Sequence, residues 1–193
     1  MRRILLSYAA IAFAAFQSHA RADPVVQGLA AASGVVVLAE ILRDEPERQD
    51  RDFVAFEGGR FDAIKKTRTS TEFGLEYHSG ALLLWKLRPF VGAGGTTDGS
   101  FYGYGGIRLD SYWGPRIVIT PSFAVVGYSQ GNGKNLGEPP VLGRFGIDFQ
   151  YHLSDDVRLG VAIHHMSNGK VLGQNTNPGT ELIGLTLSIA LKE

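Results

Sequence analysis

Two residues near the C-terminus, His165 and Ser167, have the types and the spacing that a serine hydrolase needs. They lie in an alternating segment, residues 156–168, that predicts a β-strand. Because residues two apart on a strand point to the same face, the imidazole and the hydroxyl should be neighbours. A serine hydroxyl is a weak nucleophile until a base accepts its proton, so the pair could supply nucleophile and base.

A third residue, Glu181, begins the otherwise apolar face of the next predicted strand, residues 180–191. The loop 169–179 joins the two strands, so Glu181 should lie opposite the end that carries His165. A carboxylate on an apolar face is unfavourable unless it is paired or has a catalytic role. A histidine base needs a group that orients it. The three residues therefore predict a Ser-His-Glu triad.

Each of these residues also has an ordinary structural interpretation. A histidine and a serine two residues apart often occur by chance, and Glu181 could be an interfacial charge. His164 has the opposite parity and is predicted to pack or form hydrogen bonds in the interior. Asn175 and Asn177 lie in a loop, where asparagine is common without a catalytic role. The convergence of three triad-type residues on one face favours the catalytic interpretation.

Composition excludes several other kinds of chemistry. The chain has no cysteine, which rules out a disulfide scaffold and a zinc-thiolate site. It has no Gly-x-Ser-x-Gly motif, so an α/β-hydrolase is not indicated, and no metal-ligand spacing stands out. The formal net charge is zero, and nothing indicates nucleic-acid binding. We therefore expect neither a metal nor a cofactor.

The N-terminus has the pattern of an export signal. Residues 1–22 contain two arginines, an apolar stretch over 4–16 and small residues at two cleavage positions, which predicts a signal peptide. Residues 23–52 form an arm of unclear structure, either a helix that precedes the next domain or a poorly ordered segment. Its apolar stretch, residues 29–42, has 14 residues, which is short for an upright membrane helix.

From residue 53 to residue 193 the chain alternates between apolar and polar residues in short segments separated by turn residues. The eight predicted strands are 53–62, 70–79, 81–94, 100–112, 115–128, 141–153, 156–168 and 180–191. The links between them are alternately tight and long or glycine-rich, as in outer-membrane barrels with short periplasmic turns and longer external loops. We therefore predict an all-β fold, an eight-stranded antiparallel transmembrane β-barrel.

Strand parity predicts which side chains face lipid and which face the interior. Val141, Phe145, Ile147 and Ile183 are predicted to face lipid. The residues predicted to form a charged interior are Glu72, Glu76, Arg108, Asp110, Arg144, Asp148 and Arg158, with the arginines paired to the acids. A periplasmic aromatic girdle is predicted from Tyr77, Trp85, Tyr112, Trp113 and Tyr151. The alternative is a soluble barrel that binds a small ligand inside, with the two faces exchanged.

The chain resembles the lipid A 3-O-deacylase family of outer-membrane barrels over about residues 53–191. The motifs that carry the resemblance are His165-Met-Ser167-Asn168 and Asn177-Pro-Gly-Thr-Glu181, with weaker likeness in Arg88-Pro-Phe-Val-Gly92, Tyr102-Gly-Tyr-Gly-Gly-Ile-Arg-Leu-Asp110 and Thr120-Pro-Ser-Phe123. The N-terminal arm is outside it, and the loop between Ser167 and Glu181 is slightly longer than in the family pattern.

The resemblance implies an esterase that modifies lipopolysaccharide by removing the 3-O-linked acyl chain of lipid A. It implies Ser167 as nucleophile, His165 as base and Glu181 as the residue that orients the base. It also implies Asn177, or a backbone amide near Gly169, as the oxyanion donor. The other expected partners are outer-membrane lipids, and a homodimer is an open possibility. The active site should face the outer leaflet.

Two other functions remain open at this stage. Outer-membrane phospholipases share a similar His-x-Ser-Asn-Gly stretch, here His165–Gly169, but they use an amide as third member, have more strands and require calcium. A non-catalytic structural or adhesion barrel would require the triad parity to be accidental.

Overall fold

One helix and nine strand segments make up the part of the chain that this computed structural model describes, residues 24–43, 50–170, 172 and 176–191. The helix, α1, spans Pro24–Arg43. The strands are β1 (Phe53–Phe61), β2 (Ser70–His78), β3 (Leu87–Thr96), β4 (Phe101–Leu109), β5 (Ser111–Trp113), β6 (Ile117–Ser129), β7 (Val141–His152), β8 (Val157–Ser167) and β9 (Thr180–Ala190). The predicted signal peptide, residues 1–22, lies outside the described residues.

The sheet closes on itself. Each strand pairs antiparallel with its neighbours, β1 pairs with both β2 and β9, and β4 pairs with β6. β5 continues β4, because both segments pair with β6. The result is a closed eight-stranded antiparallel barrel, which confirms the predicted fold class.

The predicted strand 100–112 is interrupted at Asp110, between β4 and β5. Pro121 of β6 lies opposite Leu109, the last residue of β4, when the register of that pairing is continued by one residue. Proline has no N–H group to donate, so the ladder loses a hydrogen bond where β4 gives way to β5. A strand boundary of this kind depends on a partner strand and cannot be seen in local alternation.

The predicted strand 81–94 begins later than expected, at Leu87. The link before it is a turn in which Leu83 donates its N–H to Leu87 and Leu87 donates its own to Leu84, both at 2.9 Å. Trp85 holds a φ of 51°, a left-handed conformation that ends regular strand geometry. The predicted tight turn at Ser79–Gly80 is therefore a longer link.

The barrel interior is charged, as predicted. Arg144 donates to Glu76 at 2.7 Å and lies 2.9 Å from Nδ1 of His164. Nε2 of His164 lies 2.9 Å from Asp148, so this histidine belongs to the interior network. Arg108 is paired with Asp110. Buried charges are tolerated only when they are paired in this way.

Arg158 departs from the predicted pairings. It donates to Asp50 at 2.9 Å and to the Tyr112 hydroxyl at 3.0 Å, rather than to an acid on a strand. Asp50 precedes β1, and it also accepts a hydrogen bond from Tyr112 at 2.8 Å. The segment before the barrel therefore closes the end of the interior, which strand parity could not indicate.

The outer wall is apolar, but part of it is covered by α1. Val141 and Ile183 are exposed as predicted, whereas Ile147 is only 2 % exposed and Phe145 is partly buried. Leu29 and Val36 of α1 pack against Ile147 in one cluster. The prediction that Phe145 and Ile147 face lipid was therefore wrong, although their outward parity was right.

Helix α1 has one face against the barrel and one face away from it. Its buried residues are Val26, Leu29, Ser33, Val36 and Glu40, and its exposed large residues are Val35, Leu38 and Leu42. Glu40 accepts from Lys86 at 2.6 Å and from Ser111 at 2.7 Å, which fixes one end of the helix to the wall. With 20 residues, α1 is long and apolar enough to cross a membrane, so the 14-residue count from sequence was too short.

The aromatic girdle is only partly as predicted. Tyr77, Trp113 and Tyr151 are exposed on the outer wall near the end that carries the short links. The other two predicted members are not part of it. Tyr112 forms hydrogen bonds with Asp50 and Arg158, and Trp85 packs into the cluster under α1.

Arg144→Ala should destabilise the barrel by about 3–5 kcal/mol, because it removes the guanidinium that pairs with the buried carboxylates of Glu76 and Glu57. The measurement is the urea midpoint of unfolding in lipid vesicles, with the exposed Arg116→Ala as control. An unchanged midpoint for Arg144→Ala would contradict the charged-interior arrangement.

Candidate active site

His165 and Glu181 lie directly opposite each other on the paired strands β8 and β9. Nδ1 of His165 is 3.3 Å from Oε1 of Glu181. Both residues have outward parity, yet His165 is 5 % exposed and Glu181 is fully buried. The sequence placed Glu181 at an exposed edge, but the structure buries it. Its carboxylate can therefore orient the imidazole away from water.

The cover over this pair comes from two loops. Lys65, in the link between β1 and β2, donates to the carbonyl of Pro178 at 2.9 Å and lies 3.6 Å from Oε1 of Glu181. Gly179 has a φ of +57°, and a Cβ there would lie 2.9 Å from Cε1 of His165. The close approach of the backbone to the imidazole therefore requires glycine.

Ser167 is the last residue of β8 and is half-buried. It shares the outward parity of His165 and lies opposite Gly143 of β7, so no side chain stands beside it on that strand. Among the described residues, no hydrogen bond joins Ser167 to His165. The arrangement thus places the Ser167 hydroxyl on the same outward face of the barrel as the His165 imidazole.

The two candidate oxyanion donors, Gly169 and Asn177, lie in the link between β8 and β9. Both are exposed, and Gly169 has a φ of +58°. Within the described part of this link, neither residue is hydrogen-bonded to Ser167. The structure therefore brings together His165 and Glu181, with Ser167 on the same face, and leaves the oxyanion donor unassigned.

Asn168 has a structural role that sequence reasoning missed. Its Nδ2 donates to the carbonyls of Leu136 and Thr176, both at 3.0 Å, and its Oδ1 accepts from the amide of Lys170 at 3.0 Å. The side chain is buried and ties two long loops to the end of β8. Its place directly after Ser167 was the only sequence signal for Asn168. Gly179 lay within the Asn177–Glu181 motif but was given no role, and Lys65 carried no signal.

Asp62 fixes the loop that carries Lys65. It is fully buried with a φ of 54°, and it accepts from Lys134 at 2.6 Å and from Thr67 and the Arg68 amide at 2.7 Å each. Burial alone would raise the pKa of Asp62, but these donors outweigh it and lower the pKa below its usual value. The loop is thereby anchored by an ionised carboxylate.

Asp62→Asn should loosen this loop at neutral pH. The side-chain amide keeps the shape but loses the negative charge that binds the Lys134 ammonium and the backbone amide of Arg68. We expect faster trypsin cleavage after Lys65, Lys66 and Arg68. In the wild type, a lowered folded pKa stabilises the loop above the ordinary aspartate pKa, and that stability is lost as the pH falls through the lowered value. Amide exchange in residues 62–69, measured relative to the intrinsic exchange rate, should therefore become faster only in acid. Exchange that became faster relative to the intrinsic rate as the pH rose would contradict this.

The described residues contain no group of three histidine, aspartate or glutamate side chains placed to hold a metal ion. The site described above consists of side chains from two strands and the loops that cover them.

Comparison with known proteins identifies the family. The family model for lipid A 3-O-deacylase (PagL) matches residues 54–190, which is most of the chain. A comparison with curated protein sequences gave no match. The family match confirms the resemblance inferred from the sequence.

Solved structures show the same fold. The crystal structure of the outer-membrane enzyme PagL is 17 % identical, with a TM-score of 0.55, and the match covers 72 % of this chain and 99 % of that one. Neisserial surface protein A matches with a TM-score of 0.52 at 8 % identity, covering 76 % of this chain and all of its own. The N-terminal barrel domain of Pseudomonas aeruginosa OprF matches with a TM-score of 0.50 at 10 % identity, covering 74 % and 98 %. By its family and its barrel, this chain is a member of the lipid A 3-O-deacylase family and an ester hydrolase of the outer membrane.

Proposed function

We propose that the protein removes the 3-O-linked acyl chain of lipid A with Ser167 as nucleophile, His165 as base and Glu181 as the residue that orients the base. The observation that carries the proposal is the buried contact of His165 with Glu181, with Ser167 on the same outward face. Nδ1 of His165 faces the carboxylate, so Nε2 is the nitrogen available to the serine.

The reaction would proceed in two steps. Ser167 Oγ attacks the ester carbonyl carbon while His165 accepts its proton, and the proton then passes to the sugar oxygen as the carbon–oxygen bond to it breaks. Water, activated by the same imidazole, then hydrolyses the acyl-serine and releases a fatty acid. A backbone amide at Gly169 or the side chain of Asn177 would stabilise the oxyanion, an effect typically worth about 3 kcal/mol.

The arrangement of the barrel ends supports one orientation in the membrane. The links 62–69, 97–100, 130–140 and 168–179 share one end, and the residues that precede β1 and follow β9 share the other. Periplasmic termini would place the triad at the outer end, in the leaflet that contains lipid A. An ester on the outer wall would then reach Ser167 without entering the barrel.

The direct test uses purified protein and lipid A in detergent. We expect release of one ester-linked acyl chain, with the amide-linked chains retained, because an ester carbonyl reacts more readily with a serine nucleophile than an amide carbonyl does. Release of fatty acid from phospholipid, without any from lipid A, would overturn the substrate assignment.

We also propose that residues 1–22 are removed on export and that α1 stays with the mature barrel. The contacts of Glu40 with Lys86 and Ser111 support this, since they join the helix to the wall by polar groups that would otherwise face lipid. N-terminal sequencing of the protein from outer membranes should give Asp23 as the first residue. A mature chain that begins after Arg43 would contradict it.

A further inference from the structure

A group of exposed cationic side chains lies at the rim of the barrel beside the triad. This basic patch consists of Arg60, Lys65, Lys66 and Arg68. The one acid in the segment 60–69, Asp62, is fully buried and is paired with Lys134. The patch therefore carries four positive charges; the Lys65 charge is paired with Glu181, and no exposed acid within the segment balances the other three.

The patch is joined to the active site by direct contacts. The amide of Ala63 donates to the carbonyl of Glu181 at 3.0 Å, and Lys65 donates to the carbonyl of Pro178 at 2.9 Å. The Lys65 ammonium is also 3.6 Å from the Glu181 carboxylate, with a third of its side chain exposed. An anion bound at Lys65 would therefore lie close to Glu181 of the triad.

The position of the patch limits the class of anion. It is at the end of the barrel that carries the long links, and the apolar outward residue Ile183, which pairs with Arg60 in the register, lies beside it. A ligand that fits both features has an anionic head group and an apolar tail. Lysine and arginine clusters at a membrane surface are typical binding sites for phosphate-bearing lipids.

We propose that the basic patch binds a phosphate group of the glycolipid head and so holds the ester at Ser167. This inference rests on the proposed function and names the part of the substrate that the patch recognises. Lys65 acts as a positioning residue that contacts both the bound phosphate and the loop over His165, while Lys66 and Arg68 supply charge without touching the triad.

The test compares lipid A that carries its phosphates with lipid A from which they have been removed. The wild type should prefer the phosphorylated substrate in kcat/KM, mainly through KM, and Lys66→Gln/Arg68→Gln should reduce that preference about tenfold, as expected for loss of charge-assisted contacts. The double variant Arg51→Gln/Arg116→Gln is the matched control, because it removes the same charge from exposed positions near the other end of the barrel. It should leave the preference unchanged.

Lys65→Gln should reduce the preference as well, and Lys65→Arg should restore most of it, since the positive charge is kept. A purely structural role for Lys65 would lower the activity on both substrates equally, which would overturn its assignment as a phosphate contact. Heat-modifiable mobility in gels shows that each variant has folded.

Inorganic phosphate distinguishes a head-group site from a site for the free anion. We expect it to abolish the wild-type preference only in large excess, because the lipid is held by its acyl chains as well. Complete competition at phosphate concentrations equal to that of the substrate would identify a free-phosphate site and overturn the head-group assignment. Equal kcat/KM of the wild type for both substrates would overturn the patch proposal alone, whereas hydrolysis of neither substrate would overturn the proposed function.

Discussion

Ser167→Ala should lower hydrolysis of the lipid A ester by about 10⁴- to 10⁶-fold, because triad members act as a unit and the hydroxyl is the only nucleophile proposed for the site. His165→Ala should be about as severe, since serine without its base barely reacts. Rates of fatty-acid release by purified, folded variants provide the measurement.

The same series separates the two adjacent histidines and tests Glu181. Glu181→Gln should cost less than Ser167→Ala, about 10³- to 10⁴-fold, because the amide keeps the shape but no longer stabilises the imidazolium. Glu181 is fully buried, so water cannot replace it as it could at an exposed rim. His164→Gln should affect stability more than chemistry, since His164 binds Arg144 and Asp148 inside the barrel. A His164 variant that lost activity while His165→Ala kept it would show that the parity of β8 is inverted.

Gly179→Ala should lower kcat by about 100-fold, because displacement of a catalytic group by about 1 Å is enough for a loss of that size. The new Cβ would lie 2.9 Å from Cε1 and 3.3 Å from Nε2 of His165, and the residue already has a φ of +57°. The imidazole or the loop must move, and either movement disturbs Nε2, the nitrogen proposed to accept the Ser167 proton.

Gly114→Ala is the matched control for backbone strain. Gly114 also has a positive φ, +73°, but a Cβ there would meet nothing within 4 Å. Both substitutions impose the same kind of strain, and only Gly179→Ala adds a contact with His165. If the two variants had equal activity, the loop over His165 would not position the imidazole.

The sequence was sufficient for the barrel and for the faces of its strands because alternation is a local property. The inward parity of Arg144 and His164 and the outward parity of His165 and Glu181 could each be predicted from a period of two. Their partners followed where both lay on neighbouring strands, as with His165 and Glu181.

The features that the sequence did not reveal depend on distant segments. Ile147 is outward but buried because α1 covers it, and β4 ends opposite Pro121 of a different strand. Lys65 contacts Glu181, which is more than a hundred positions away in the sequence, because β1 pairs with β9 to close the barrel. Contacts of this kind are set by the tertiary arrangement, so no local pattern encodes them.

The central claim, that this barrel removes an ester-linked acyl chain from lipid A by means of Ser167, is tested most directly by mass spectrometry of lipid A from Gram-negative cells. Cells that express the wild type should contain lipid A lighter by one ester-linked acyl chain, and cells that express equal amounts of folded Ser167→Ala should contain lipid A of unchanged mass. An unchanged mass with the wild type, or the same loss of mass with Ser167→Ala, would contradict the account.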